Sequence, residues 1–428
     1  MRATLPCFSM GAISMGAVAL SVGVLAACSG NSSTSSGSGG SAATSPITIG
    51  ASLALTGSRS ADGQAFQKGY DLWVKDVNAA GGILGRQVRL TVLDDASSPN
   101  QVVTNYQTLI NTDHVDLTFG PFSSALTGPA SVVAARNGYA FIEGAGGAPA
   151  VFQTPQNEAD HNVFDVSLPS ADNLIPLVTY IKSLPASERP KTAAFPMAAN
   201  PFADAAVQTA ARTLSQIGVR NVLPAEKVFQ DEPSAYRQPA DQVASKNPDL
   251  VVLGSTLPTM QGFMKAFEED HYIPRMFIGV SGPDQGQAFT SAVGKGNTTG
   301  IMVPDPWYPG FQNTASEKMV SEYVHQYGGP VDGVNADVAE AYSVGQVAEQ
   351  AVVATGGTDN SKIIQYLHSG VTLHSVQGLV KFDSLGENAS AAAFIFQWQD
   401  NGNSFVQVLP QHAAGSKPVV RKAPWVVG

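Results

Sequence analysis

The residue types that usually announce a nucleophile or a metal are scattered through this chain, so its chemistry has to come from hydroxyls, backbone amides and lone carboxylates. Seven histidines, His114, His161, His271, His325, His368, His374 and His412, show neither the i, i+4 spacing nor the cysteine company of a transition-metal site. No metal or cofactor is expected. Gly-x-Ser-x-Gly elbows, Walker loops and zincin helices are absent, and Asp94-Asp95 reads as a loop cap at a strand end. Without a nucleophile, a base and an orienting group, the chain is not expected to be an enzyme. Recognition chemistry is what remains. Ser124 follows the apolar run Val115 to Phe119 and opens a helical stretch toward Ala134, where an N-cap hydroxyl and the helix dipole would meet an anion. Gly144 to Gly147 follows another apolar run, Tyr139 to Ile142, and lets backbone approach a ligand because no Cβ intervenes. A dinucleotide fingerprint is the rival for that loop, but Pro149 stands where glycine or alanine is needed.

Elements that could position these groups follow a repeating order. Ile47 to Ile49 reads as a strand, and Phe66, Tyr70, Trp73, Val74 and Val77 recur at helical spacing before Gly81-Gly82. Strands at Val88 to Leu93, Val115 to Phe119 and Tyr139 to Ile142 alternate with helices, Val102 to Ile110 among them. A second series runs through Thr192 to Phe195, helix Ala203 to Ile217, strand Val222 to Val228, helix Ala235 to Ser245, strand Leu250 to Leu253, helix Thr259 to Asp270 and strand Met276 to Gly279. Such alternation implies two doubly wound α/β lobes with parallel sheets. Phe164 to Leu168 and Gly300 to Trp307 are expected crossovers, and helix Asp337 to Ala354 should return to the first lobe. Asp400 to Asn403 reads as a hairpin turn between Phe394 to Trp398 and Phe405 to Leu409.

Charge and the first segment limit the partners. With 43% hydrophobic residues among 428, the chain can bury a large core, and its net charge of -10 disfavours nucleic acid. No charged residue lies between Arg2 and Arg59, and Phe8 to Ala27 is almost wholly small or apolar. Leu25-Ala26-Ala27-Cys28 resembles a bacterial lipobox, which implies cleavage of residues 1-27 and a lipid anchor on Cys28. Cys7 would leave with the signal peptide, so no disulfide is expected in the body. Ser29 to Ser45 is serine, glycine, alanine and threonine with one asparagine, the composition of a tether.

Asp76-Val77-Asn78-Ala79-Ala80-Gly81-Gly82-Ile83-Leu84-Gly85-Arg86, followed by Leu93-Asp94-Asp95-Ala96-Ser97-Ser98-Pro99, resembles the leucine/isoleucine/valine-binding protein family of the type I periplasmic-binding fold. Gly120-Pro121-Phe122-Ser123-Ser124, Gly254-Ser255-Thr256, Phe277-Ile278-Gly279 and Gly378-Leu379-Val380-Lys381-Phe382-Asp383 extend the likeness over the chain after the tether. The resemblance implies discontinuous lobes, a three-segment hinge and an interlobe cleft whose closed shape is read by an ABC permease. It matches Ser124 to the serine that binds a ligand α-carboxylate, and Ala145, Gly146 and Gly147 to the loop that contacts the same group, with glycine replacing the family threonine. Phe202 and Thr256 fall at positions often held by tyrosine. Ser281 replaces the glutamate that pairs with a ligand ammonium, so Asp284, Glu143 or Asp62 must take over or the ligand has no ammonium. Asp62 stands near a position usually aromatic, Phe122 belongs to the matched loop, and Trp307-Tyr308 between prolines would line the cleft or wedge the hinge.

The expected organisation is therefore a signal peptide at 1-27, an anchor and tether at 28-45, the first lobe from 46-167, the second from 168-303, and returning segments over 304-428. The expected function is the exported, membrane-tethered, monomeric binding subunit of an ABC importer for an amino acid or a related small carboxylate or amide. The replacement at Ser281 tilts that expectation away from free branched-chain amino acids. A ligand-responsive sensor of the same fold is the alternative.

Overall fold

Alternating strands and helices in the sequence become two sheets, each with its parallel strands opening toward the other lobe. The computed structural model describes residues 45–223, 228–311 and 313–426, so the signal peptide, Cys28 and the tether lie outside the described residues. In chain order the first lobe opens with β1 (Ile47–Leu53), α1 (Ser60–Ala79), β2 (Val88–Asp94), α2 (Pro99–Asn111), β3 (Leu117–Phe119) and α3 (Ser124–Arg136). It continues with β4 (Phe141–Glu143), the short helices α4 (Pro149–Phe152) and α5 (Pro155–Asp160), and β5 (Val163–Asp165). The strands pair in parallel in the order β2-β1-β3-β4-β5.

The chain then crosses. It forms α6 (Ile175–Ser183), β6 (Thr192–Ala194), β7 (Met197–Ala198), α7 (Pro201–Gln216), β8 (Arg220–Leu223) and β9 (Val228–Phe229). Next come α8 (Arg237–Lys246), β10 (Leu250–Leu253), α9 (Leu257–Glu269), β11 (Met276–Gly279), α10 (Gly286–Val293) and β12 (Ile301–Asp305). After β12 the chain returns through α11 (Thr314–Tyr327), α12 (Ala336–Thr355), α13 (Asn360–Leu367) and the hairpin β13 (Leu373–Ser375) and β14 (Gly378–Val380). It crosses once more to β15 (Phe394–Gln399) and β16 (Ser404–Leu409). The second sheet runs β16-β15-β12-β11-β10-β6-β8, parallel except at its β15 and β16 edge. Three crossing segments between lobes match the discontinuous type I arrangement implied by the sequence, and residues 45–426 lie in one compact unit.

The expected strand Val222 to Val228 falls on two elements: Val222 lies in β8, which pairs with β6, and Val228 opens β9, which pairs with β7 in a small separate sheet, while residues 224–227 lie outside the described residues.

The return of α12 to the first lobe fixes where its N-terminus points. Fourteen of its residues are buried, and it lies against α1 in one core with Tyr70, Trp73 and Val77. Glycines permit that closeness, because a Cβ on Gly345 would stand 2.1 Å from the Trp73 ring and one on Gly69 would stand 2.4 Å from the Val338 carbonyl. Ala336 at the start of α12 is thereby held at the crossing from β12, with Asp337 and Glu340 on one face of the first turn. Gly345→Ala is expected to destabilise the protein by about 1–3 kcal/mol through overpacking, more than the ~1 kcal/mol that alanine returns in helix propensity. Urea unfolding checks this, and an unchanged or raised midpoint contradicts it.

Candidate functional site

Every strand that ends at the interlobe cleft delivers its next residues into one cavity of about 770 Å³, open mouth included. This is the position expected for ligands in open α/β sheets, beyond the carboxyl ends of strands. From the first lobe come Phe122 and Ser123 after β3, Gly144, Ala145 and Gly147 after β4, and Asp165 and Ser167 at the end of β5. Ser255 and Thr256 after β10, Val280, Ser281 and Asp284 after β11, and Pro304 and Asp305 at the end of β12 face them. Asn200 and Phe202 at the start of α7 complete the second lobe's wall. Arg59 and Asp62 from the start of α1, with Asp337 and Glu340 from α12, complete the first lobe's wall.

Seven of the sequence-expected residues therefore line one cavity: Asp62, Phe122, Ala145, Gly147, Phe202, Thr256 and Ser281. Three stand behind its wall. Ser124 is 2% exposed, and its hydroxyl donates to the Ala145 carbonyl at 3.3 Å, so it braces the glycine loop. Ser123, its neighbour, is the residue at the wall, and its hydroxyl has no partner among the described residues. The Gly146 N–H donates to Glu143 Oε2 at 2.5 Å and the Ala145 N–H to the same oxygen at 2.9 Å. Trp307 is buried, donates through Nε1 to Ser316 Oγ at 2.9 Å, and lies outside the lining of the main cavity.

The glycine loop is thus arranged differently from the expectation. Two of its amides expected to meet a ligand carboxylate, those of Ala145 and Gly146, are engaged by the chain's own Glu143. Glycine is required for this: a Cβ on Gly146 would stand 2.6 Å from Glu143 Oε1, and one on Gly120 would stand 2.2 Å from Glu143 Cβ.

Of the acids that could stand in for the glutamate replaced at Ser281, Asp62 and Asp284 line the cavity, and with Asp165, Asp305, Asp337 and Glu340 they make six carboxyl groups in its wall. Arg59 is the one cationic side chain in the lining, and its nearest acidic partner is Asp231 at 3.7 Å. Oxygens of Asp62, Asp284 and Asp337 lie within 4.8 Å of one another, an arrangement that could hold a cation. Gln285 sits among them. Its amide nitrogen donates to Asp62 Oδ1, to Asp284 Oδ2 at 3.1 Å and to Asp337 Oδ2 at 3.2 Å, so that a second-lobe amide joins carboxylates of both lobes. Deeper in, Glu340 accepts from the Ser167 hydroxyl at 2.8 Å, while Asp165 Oδ1 accepts from the Ser167 N–H at 2.8 Å and Oδ2 has no partner among the described residues.

Asp165, Asp305, Asp337 and Glu340 escaped the sequence reading because they come from three distant segments with no motif spacing. Their trace is local: a single acid at the end of an apolar strand, as in Val163-Phe164-Asp165 and Val303-Pro304-Asp305, or acids three apart in the otherwise apolar start of α12. By contrast Asp94 caps as expected, accepting from the Leu55, Thr56 and Ala96 amides.

Crowding raises the carboxyl pKa values. Burial, then the charge of Asp284, pushes Asp62 up to about 7. Burial pushes Asp165 to about 7 and Glu340 to about 8, with Glu387 and Asp165 respectively adding repulsion. Asp337, Asp305 and Glu143 lie well above the usual carboxylate range, each through burial first and then through Asp62, Asp284 or Asp165. These groups hold protons more tightly folded than unfolded, so their stabilising effect is full below about pH 4 and lost as pH rises through 7 to 8. The melting midpoint of the ligand-free protein is expected to fall between pH 5 and pH 8, and Asp165→Asn to flatten that slope. Scanning calorimetry that finds a constant or rising midpoint contradicts the arrangement.

A family model described as periplasmic binding protein matches residues 46–403. The leucine/isoleucine/valine-binding protein homolog 1 of Brucella abortus is 36% identical over 99 residues, 23% of this chain and 26% of that protein. A protein described as an amino acid binding protein in Pseudomonas aeruginosa is 36% identical over 87 residues, 20% and 23% of the two chains. The matched stretch thus spans about a quarter of these curated relatives. Among solved structures, the isoleucine complex of LivJ from Streptococcus pneumoniae superposes with a TM-score of 0.72 at 17% identity, covering 85% of this chain and 99% of its own. A benzoate complex of a solute-binding protein from R. palustris gives 0.69 at 18% identity, covering 90% and 98%. Both likenesses speak to the fold.

Proposed function

We propose a function from one premise: the chain belongs to the periplasmic binding protein family. It is a binding protein, not an enzyme, and its work is to capture a small organic solute between its lobes and present it to the membrane subunits of an ABC importer. The observation that carries this reading is a cavity lined from both sheets at once, with Phe122 and Phe202 as its aromatic walls and polar groups at strand ends between them. Only contacts made to both lobes together can favour closure, so a ligand there acts as the link that shifts an open form toward a closed one.

Asp62, Phe122, Ala145, Gly147, Phe202, Thr256 and Ser281 are the proposed contacts. Ser124, Gly146 and Trp307 are given supporting roles, holding the loop and the hinge that place the others. Relatives named for amino acids, and neighbours solved with isoleucine and with benzoate, support a solute of that size. Export with a lipid on Cys28 and a tether of residues 28-45 would keep the binding lobes beside the permease at the outer face of the cytoplasmic membrane; no helix among the described residues is long and apolar enough to cross it.

Two measurements check this reading. Thermal denaturation against amino acids, amides, aromatic acids and amines should show one class raising the midpoint by several degrees, since a ligand that binds only the folded state stabilises it. A screen without any shift, together with wild-type uptake in a strain lacking the gene, would remove the transport role. In the native host, Cys28→Ala should abolish palmitate labelling and release the protein from the membrane fraction; retention with labelling intact contradicts anchoring at Cys28.

A further inference from the structure

The substrate class can be narrowed from the cavity itself, on the footing of the binding role proposed above. We infer that the ligand is an organic dication, two cationic nitrogens joined by a short apolar spacer, held between carboxylates of opposite lobes. The first argument is the balance of charge: six carboxylates line the cavity against Arg59, which already faces Asp231. The acids come from both sides, with Asp62, Asp165, Asp337 and Glu340 on the first lobe and Asp284 and Asp305 on the second. Closing the lobes brings acidic groups together, and their repulsion is relieved either by protons or by a positive group between them.

A second and independent observation points to a ligand. Asp165 is 0% exposed, lines the cavity, and leaves Oδ2 without a hydrogen-bond partner among the described residues. A buried carboxylate oxygen with no donor is costly unless a donor arrives with the ligand. The third observation is the occupied loop. The Ala145 and Gly146 amides and the Ser124 hydroxyl, the groups expected to take a ligand carboxylate, are turned to Glu143 and the Ala145 carbonyl. The Ser123 hydroxyl, without a partner among the described residues, remains at the wall and can accept from a cationic N–H as well as donate to an anion.

Spacing argues for two positive groups. Asp337 belongs with Asp62 and Asp284 around Gln285, whereas Glu340 belongs with Ser167 and Asp165. Three residues separate Asp337 from Glu340 on α12, about 4.5 Å of helix rise. Phe122, Phe202, Val280 and Leu168 supply apolar walls for a chain of methylenes. Either an ammonium or a metal ion would have to displace the Gln285 amide nitrogen from among the three clustered carboxylates, but only the organic cation brings methylenes to the apolar walls.

The groups that govern pH dependence are Asp62, Asp337, Glu340 and Arg59 on the helices, Glu143 and Asp165 at the first sheet, and Asp284 and Asp305 at the second, with Asp231 and Glu387 beyond them. Raised carboxyl pKa values mean that dication binding displaces protons, so affinity should climb between pH 6 and pH 8.

Isothermal titration of the mature protein tests the inference with five probes: 1,4-diaminobutane, 1-aminobutane, leucine, benzoate, and calcium or magnesium chloride. Saturable binding of 1,4-diaminobutane, at least tenfold tighter than 1-aminobutane and tighter than leucine or benzoate, is expected. Asp165→Asn and Asp337→Asn should each weaken it tenfold or more while melting at or above the wild-type midpoint. Tighter binding of leucine, benzoate or a divalent ion than of the diamine, no diamine binding, or variants with wild-type affinity would each overturn the inference. The binding role itself would survive the first of these outcomes, whereas diamine binding without permease-dependent uptake would sink the transport role and leave the charge argument standing.

Discussion

Like charge facing like charge across a closing gap is the constraint around which this molecule is arranged. Carboxylates carried by α1, β5 and α12 on one lobe meet those carried by the ends of β11 and β12 on the other. The closed form is tolerable only because burial raises the carboxyl pKa values and because Gln285 threads an uncharged amide among Asp62, Asp284 and Asp337. Removing a proton from such a site costs interaction energy, and supplying a cation recovers it. Under the inferred dication binding, charge would couple occupancy to lobe closure, the motion that a transporter partner would read.

The fold serves that coupling by holding the acids on rigid elements. Asp165 terminates the edge strand β5, Asp305 terminates β12 where it pairs antiparallel with β15, and Asp337 and Glu340 ride the first turn of a helix locked to α1 by Gly69 and Gly345. Acids at a helix N-terminus gain from the macrodipole, which helps α12 carry two of them in buried positions. The glycine loop after β4 adds a carboxylate from within the chain, since Glu143 occupies donors that would otherwise be open.

Much of the architecture was legible in the sequence because its signals are local. Helical spacing marked α1 and α12, apolar runs marked β3, β4, β10 and β11, and the Asn-Gly turn marked the β15 and β16 hairpin. That Val222 and Val228 belong to different sheets was not legible, since a β-branched residue at each end reads as one strand. At the site, loops following strands were found, whereas partners were not. Ser124 and Ser123 are neighbours of one type, and only the turn of the chain decides which hydroxyl faces the cavity. Nothing local signals that Asp62, Asp284 and Asp337 meet, because 222 and 53 residues separate them along the chain. Around the uncharged Ser281 the sequence pointed to Asp62 and Asp284, but not to Asp165, Asp305, Asp337 and Glu340, which the fold brings to the same cavity.

The most direct measurement is lobe closure itself, followed by small-angle X-ray scattering of the mature protein at pH 8 with and without saturating 1,4-diaminobutane. Closure driven by a cation between opposed carboxylates requires the radius of gyration to fall with the diamine and to stay unchanged with benzoate. Contraction with benzoate but not with the diamine would contradict it.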